Sequence, residues 1–168
     1  MGLVDIETKA LESRTQAEKF FDLAYSLQLA GNYDEAIALY KRSIELHPTA
    51  KAYTFLGWAL SFTGQYERAI EECKRAIEID PGFGNSWNDI GAYLIELGRH
   101  DEAIPYLEQA LNCKRYESYC YPHYNLHRVY AHKDMLTSAR QSLERSLNAN
   151  PEYQPAREAL GKVMRDIN

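Results

Sequence analysis

Apolar residues recur at spacings of three and four along most of the chain, and this pattern is typical of amphipathic α-helices. Between Tyr53 and Pro81, two such runs lie on either side of Gly64, and glycine commonly ends a helix at a turn. Small residues stand at Gly57, Gly64, Ala69 and Ala76, among large apolar ones. The pattern predicts a helix-turn-helix unit over this stretch.

The same unit returns along the chain at nearly constant offsets. One set of positions recurs 33 residues later: Leu23, Gly31, Ala36 and Pro48 correspond to Leu56, Gly64, Ala69 and Pro81. A second set recurs 34 residues later: Gly57, Gly64, Ala69 and Ala76 correspond to Gly91, Gly98, Ala103 and Ala110. Ala103 then recurs 36 residues later as Ala139, and Leu126 recurs 34 residues later as Leu160. These offsets predict four repeats followed by one extra helix.

The period and its key residues resemble the tetratricopeptide repeat. The pattern of that family is carried most clearly by Trp87, Ile90, Gly91 and Leu94, followed by Ala103 and Leu107. The resemblance implies an all-α fold, a right-handed superhelical α-solenoid of helix-turn-helix repeats. The predicted boundaries are an N-terminal extension over 1–16 and one domain over 17–168, with repeats at about 17–49, 50–83, 84–119 and 120–153 and a capping helix at about 154–166.

Several positions depart from the regular pattern. Gly57 and Gly91 fall in the middle of predicted helices, which predicts that a partner helix crosses there and leaves no room for a side chain. Pro105 falls in the first turn of its helix, where it is tolerated. Arg115 and Asp134 replace a proline and a glycine of the other repeats, and two extra residues precede the fourth repeat. We expect the fourth repeat to pack differently from its neighbours.

The resemblance also implies a function, protein–protein interaction as an adaptor or scaffold. In such a stack the first helices of the repeats line a concave groove, and their residues that are not used in packing should bind a peptide or partner protein. Aromatic rings supply contact area, and asparagine side chains pair with a peptide backbone. The candidates are Phe21, Asp22, Tyr25, Lys51, Thr54, Phe55, Trp58, Asn85, Asn88, Asp89, Tyr121, Tyr124, Asn125 and Arg128. The alternative is that several of these aromatic residues only pack between helices.

Two other functions compete with peptide binding. The tyrosine-rich stretch over 115–124, or the ends of the stack, could mediate self-assembly into a homo-oligomer. Cys113, Cys120, His123 and His127 could form a metal or small-ligand site in the fourth repeat, since thiolates and imidazoles bind zinc. Their spacing matches no zinc module, and His123 and His127 replace packing residues of the other repeats.

Charge, hydropathy and the absence of catalytic motifs narrow the possible classes of function. The formal net charge is −5, although residues 1–113 carry −8 and residues 114–168 carry +3, and a general nucleic-acid binder would need a basic stripe. No apolar run is long enough to span a membrane, and the first residues lack a secretory signal, so we expect a cytoplasmic protein. There is no phosphate-binding loop, no paired-carboxylate motif and no nucleophile elbow. We therefore predict a protein that is not an enzyme and needs no cofactor.

Overall fold

The structure is a computed structural model that describes residues 3–167. These residues contain no strand and form nine α-helices: α1 (Leu3–Leu29), α2 (Tyr33–Leu46), α3 (Ala50–Phe62), α4 (Tyr66–Ile79), α5 (Gly84–Glu96), α6 (His100–Asn112), α7 (Cys120–His132), α8 (Leu136–Ala149) and α9 (Gln154–Ile167). The all-α fold of helix-turn-helix repeats is therefore confirmed. Within the described range, no helix has both the length and the apolar character that a membrane span requires.

Helix α1 is 27 residues long and runs through most of the predicted N-terminal extension. Its sequence contains neither proline nor glycine between Leu3 and Leu29, and it is rich in residues that favour helices. Pro105 lies inside α6 without ending it. It is the sixth residue of α6, so the prediction that it falls in the first turn is wrong, and α6 lacks the bond that an amide at residue 105 would donate to the Asp101 carbonyl.

All four turns between the helices of a repeat have the same backbone conformation. Gly31, Gly64 and Gly98 have φ values of +84°, +73° and +74°, and Asp134 has a φ of +56°. In each turn the next residue donates its amide to the carbonyl five residues earlier, as Met135 does to Tyr130. Asp134 therefore adopts the left-handed conformation that its glycine counterparts adopt, and the turn of the fourth repeat matches the others.

Asp134 holds this conformation at a cost that glycine would not have. A residue with a Cβ is disfavoured in the left-handed region, whereas glycine enters it freely. We expect Asp134→Gly to raise the free energy of unfolding by roughly 0.5–1 kcal/mol, measured by urea denaturation. The reverse substitution at the matching turn, Gly98→Asp, should lower it by a similar amount. A loss of stability in Asp134→Gly would show that the aspartate side chain contributes more than its backbone strain costs.

The chain divides into two compact units, one ending at Asp80 and the other beginning at Pro81. In the first unit α1 packs on α2 and α3 packs on α4, and α2 also packs on α3. Gly57 makes the close crossing of α3 and α4 possible, because a Cβ there would lie 3.0 Å from both the Ala69 carbonyl oxygen and the Cys73 sulfur. The hydroxyl of the buried Tyr40 donates to Gln28 at 2.8 Å.

In the second unit α5 packs on α6, α7 packs on α8, and α9 covers α8. The crossing predicted at Gly91 is present, since a Cβ at Gly91 would lie 2.4 Å from a methyl group of Leu107. The segment with the two extra residues folds back over the start of α5. There Tyr116 is buried, and its Cβ occupies the space that a side chain at Gly84 would need. This packing gives the irregular junction a structural role.

Candidate functional site

An aromatic stripe runs along α3 in the first unit. Phe55, Trp58 and Phe62 are spaced three and four residues apart, so their side chains lie on one face of the helix. Tyr25 of α1 and Tyr33 of α2 flank them. We call these five residues the aromatic stripe. Its members are only partly buried, with Tyr25 and Phe62 exposing 39% and 50% of their surface.

The rings of the aromatic stripe form a continuous chain of contacts. Phe55 meets Tyr25 and Trp58 edge-on, with ring centroids 5.7 and 5.6 Å apart. Trp58 lies 5.7 Å from Phe62, and Phe62 stacks on Tyr33 at 4.7 Å with nearly parallel planes. Such ring pairs fix one another's orientation. The stripe is therefore a preformed apolar surface with faces open to solvent.

The remaining candidates of this unit lie at the α1 end of the stripe. Phe21 is buried against Tyr40 and Phe55, with centroid distances of 5.3 and 5.1 Å. The ammonium group of Lys51 lies 4.5 Å above the Phe21 ring. Lys51, Phe21 and the exposed Asp22 line an open cleft of about 420 Å³. Thr54 is buried and its hydroxyl donates to the Ala50 carbonyl at 2.8 Å, so this side chain serves packing.

A polar network joins α5 and α7 in the second unit. The buried Asn125 amide donates to the side-chain oxygen of Asn88, also buried, at 3.1 Å. Arg128 lies 3.5 Å from the Asn125 oxygen and donates to Glu96 at 2.6 Å. The two asparagines that the sequence offered as partners for a peptide backbone thus bind each other. Their buried polar groups are satisfied inside the repeat pair.

Asp89 lies next to this network on α5 and is half-buried, whereas Asn85, one turn earlier, is exposed. The Asn88 amide donates to the Asp89 carboxyl at 3.2 Å. Burial raises the pKa of Asp89 to about 7, because the charged form loses hydration, and the hydrogen bond from Asn88 acts in the opposite direction. Near neutral pH this carboxyl is therefore only partly ionised.

Tyr121 and Tyr124 belong to a cluster of tyrosines at the start of α7. Both meet Tyr153 edge-on, with ring centroids 5.3 and 5.4 Å apart. Tyr121 exposes 43% of its surface, and Tyr124 is half-buried. Burial is the main reason why the pKa of Tyr153 is raised to about 12, and the neighbouring Tyr124 and Tyr121 raise it further. These three rings form a second partly open aromatic surface.

Most of the tyrosine-rich stretch over 115–124 is used inside the second unit. Tyr116 is buried with Cys113 and Ala110, and Tyr119 packs on the same cluster. The Tyr119 hydroxyl donates to the Cys113 carbonyl at 2.9 Å. Of the tyrosines in this stretch, Tyr121 is the one that exposes a large part of its ring. The geometry gives self-assembly through this stretch little apolar surface.

The four candidate metal ligands do not form a metal site. Among residues 3–167, no three His, Cys, Asp or Glu side chains come close enough together to hold a metal ion. The Cys113 thiol donates to the Gln109 carbonyl at 3.3 Å, and His127 Nδ1 lies 2.8 Å from the Tyr124 carbonyl oxygen. Burial raises the pKa of the Cys120 thiol and lowers the pKa of His123. These groups are satisfied or neutral within the fold.

Sequence reasoning missed four members of these surfaces: Phe62, Tyr33, Glu96 and Tyr153. Phe62 could have been found by continuing the spacing of Phe55 and Trp58 for one more turn. Tyr153 lies between α8 and α9, outside the first helices of the repeats that were expected to line the groove. Glu96 needed a partner, Arg128, that lies 32 residues away in sequence.

Sequence models of a known repeat family match this chain in two places. Two models of the tetratricopeptide repeat match residues 15–81 and 63–117, and together they cover more than half of the chain. No curated protein sequence matches the chain significantly.

Several solved protein structures have the same fold. PilF of Pseudomonas aeruginosa is 20% identical with a TM-score of 0.85, over 92% of this chain and 70% of that one. PilW, a type IV pilus biogenesis factor, is 23% identical with a TM-score of 0.81, over 88% and 68%. YrrB, a protein of this fold with an unusual peptide-binding site, is 19% identical with a TM-score of 0.69, over 85% and 73%. At these identities the likeness concerns the fold.

Proposed function

Because the chain belongs to the tetratricopeptide repeat family, we propose that it is a protein–protein interaction module that binds an extended peptide segment of a partner protein. The proposed binding surface is the aromatic stripe of the first unit, formed by α3 with its flanking rings on α1 and α2. The module is non-catalytic, and its role is that of an adaptor or scaffold.

The observation that carries this proposal is the exposure of the aromatic stripe. Large rings on a helix face are normally buried, yet Phe62 and Tyr25 expose 50% and 39% of their surface. Their mutual contacts hold them in place before a partner arrives, which lowers the entropic cost of binding. Contiguous exposed apolar surface with a polar surround, here Asp22 and Lys51, is typical of an interaction site.

One structural neighbour adds support. The solved structure of YrrB has an unusual peptide-binding site, so a protein of this fold binds peptide. PilW is a type IV pilus biogenesis factor, and we do not transfer that role to this chain. We propose peptide binding for this chain on its own aromatic stripe rather than on either neighbour's partner.

The test is the loss of peptide binding in Trp58→Ala. A random peptide display library is selected on the immobilised full chain, and the affinity of an enriched synthetic peptide is measured by fluorescence anisotropy. We expect Trp58→Ala to weaken that peptide at least ten-fold, because a central aromatic residue is a typical hot spot. A Trp87→Phe protein leaves Trp58 as the sole tryptophan of the chain, so its emission should shift on binding.

Tyr53→Ala is the matched control, since Tyr53 is a half-buried aromatic residue of the same helix on another face. Binding is compared well below the melting temperature of each variant. An enriched peptide that binds Trp58→Ala as tightly as the wild type would place its site elsewhere and contradict the proposal. Light scattering across a concentration series tests self-assembly separately, and a monomer near 19.4 kDa is the result that we expect.

A further inference from the structure

Two carboxylates, Asp89 and Glu96, lie two turns apart on the face of α5 beside α7. Glu96 has a cationic partner, since Arg128 of α7 donates to it at 2.6 Å. Asp89 has no such partner: among residues 3–167, no Lys, Arg or His side chain forms an ion pair with it. The hydrogen bond that Asp89 accepts comes from the neutral Asn88 amide at 3.2 Å. The two carboxylates therefore have different surroundings on one surface.

The groups around Asp89 explain this difference. Residue 125 on α7, one turn before Arg128, is asparagine, and its side chain is already bonded to Asn88. Tyr121 lies one turn before Asn125 on the same face of α7, next to the Asn88–Asn125 hydrogen bond that Asp89 adjoins. The Tyr121 ring in turn meets the Tyr153 ring edge-on, with centroids 5.3 Å apart. The groups on α7 nearest to Asp89 are therefore an amide and aromatic rings rather than a cation.

A half-buried carboxylate next to aromatic rings is suited to a basic side chain. An ion pair with an incoming cation would compensate the lost hydration of Asp89. A ring face attracts the same cation through its quadrupole, and Tyr121 exposes 43% of its surface. The raised pKa of Asp89, about 7, agrees with a carboxyl that lacks a positive neighbour in the free protein.

We propose that Asp89, together with the rings of Tyr121 and Tyr153, binds a lysine or arginine side chain of the peptide partner. The source of the cation rests on the proposed function, because it belongs to the bound peptide. The site itself depends only on contacts within the second unit. Its ligand class is therefore a guanidinium or ammonium group on an otherwise extended chain.

The site is tested with a small probe in place of a whole partner. The 15N-labelled full chain is titrated at pH 8 with Nα-acetyl-arginine N-methylamide, and amide shifts are followed by NMR. The neutral isostere Nα-acetyl-citrulline N-methylamide is the control probe. We expect saturable shifts at α5 and residues 115–125 with the arginine probe, and at least ten-fold weaker binding of the citrulline probe. Equal binding of the two probes would overturn the proposal.

Four variants identify the groups that bind the probe. Asp89→Asn keeps the shape of the side chain and should weaken the arginine probe at least ten-fold. Glu108→Gln removes one negative charge from an exposed site on α6 and should leave binding unchanged. Tyr121→Leu should weaken binding, whereas Tyr121→Phe should retain it because the ring is kept. Unchanged affinity in Asp89→Asn would show that Asp89 acts as a neutral hydrogen-bonding group and would overturn the proposal.

The same variants separate this inference from the proposed function. A library-selected peptide with a basic residue should lose affinity in Asp89→Asn. The selected peptides could instead depend on Trp58, contain no basic residue and bind Asp89→Asn normally. That result would overturn the inference and leave the proposed function intact. Arginine-probe binding that requires Asp89, in a chain whose selected peptides do not require Trp58, would support the cation site and contradict the proposed function.

Discussion

Gly91→Ala is expected to lower the free energy of unfolding by about 1–3 kcal/mol, although alanine favours helices more than glycine does. The reason is steric. The added Cβ would lie 2.4 and 2.6 Å from Cδ2 and Cγ of Leu107, and Leu107 is fully buried. Neither α5 nor α6 can move away without opening the core of the second unit. Urea denaturation of a Trp58→Phe background, which leaves Trp87 as the probe in that unit, measures the loss.

A double-mutant cycle assigns the loss to the contact with Leu107. Leu107→Ala alone should cost about 2–5 kcal/mol because it leaves a cavity. In that background Gly91→Ala has room and should be neutral or stabilising by about 0.5–1 kcal/mol. Gly161→Ala on α9 is the matched control, since the nearest atom to its added Cβ is 3.9 Å away on Arg165. A cost for Gly91→Ala that persists without Leu107 would contradict the crossing argument.

The helices and their crossings could be predicted because they depend on local pattern. Gly31, Gly64 and Gly98 are needed for a left-handed turn, and Gly57 and Gly91 for a close crossing, so each leaves a residue-type signal at a fixed offset. Asp134 shows where this reasoning fails. Asp is not glycine, yet the hydrogen bonds of the turn impose the same φ on it. A repeated backbone tolerates an exception that a residue-by-residue comparison interprets as a change.

The candidate site could be predicted only in part, because its side chains form contacts with residues of other repeats. Asn88 and Asn125 are 37 residues apart, and nothing in either repeat alone indicates that their amides bind each other. The exposure of Trp58 and Phe55 follows from their helix face, whereas the burial of Phe21 depends on Tyr40 of the next helix. Helical spacing indicates which residues share a face, and packing between helices decides which of them remain open.

We expect the stability of the fold to depend on pH through the carboxyl group of Asp89. The carboxyl has a pKa of about 7 in the folded chain, whereas the ordinary pKa of an aspartate is 3.8. Between about pH 4 and pH 7 the unfolded chain therefore binds fewer protons at this residue than the folded chain does. The contribution of Asp89 to the free energy of unfolding must therefore fall as pH rises through this window and become constant above it. Asp89→Asn removes the titrating group and should not show this fall.

The expected result is a stability gap between Asp89→Asn and the wild type that opens with pH. A full shift of this size corresponds to roughly 4 kcal/mol, and because water reaches the half-buried side chain we expect a gap on the order of 1–3 kcal/mol at pH 8. At pH 4 the two proteins should be nearly equal, since the protonated carboxyl and the amide carry no charge. Urea denaturation at pH 4, 6 and 8 measures the gap directly, and the difference cancels the other titrating groups.

Asp101→Asn supplies a control with the opposite sign. A hydrogen bond and the charge of Lys133 lower the pKa of the exposed Asp101. This carboxylate therefore stabilises the fold above its unfolded pKa, and its amide variant should fall behind the wild type as pH rises from 2 to 5. Asp89→Asn should gain on the wild type over pH 4–7 instead. If the stability of both variants relative to the wild type changes in the same direction with pH, the surroundings of Asp89 do not disfavour its charge. That result would contradict the conclusion that Asp89 is a carboxylate without a cationic partner.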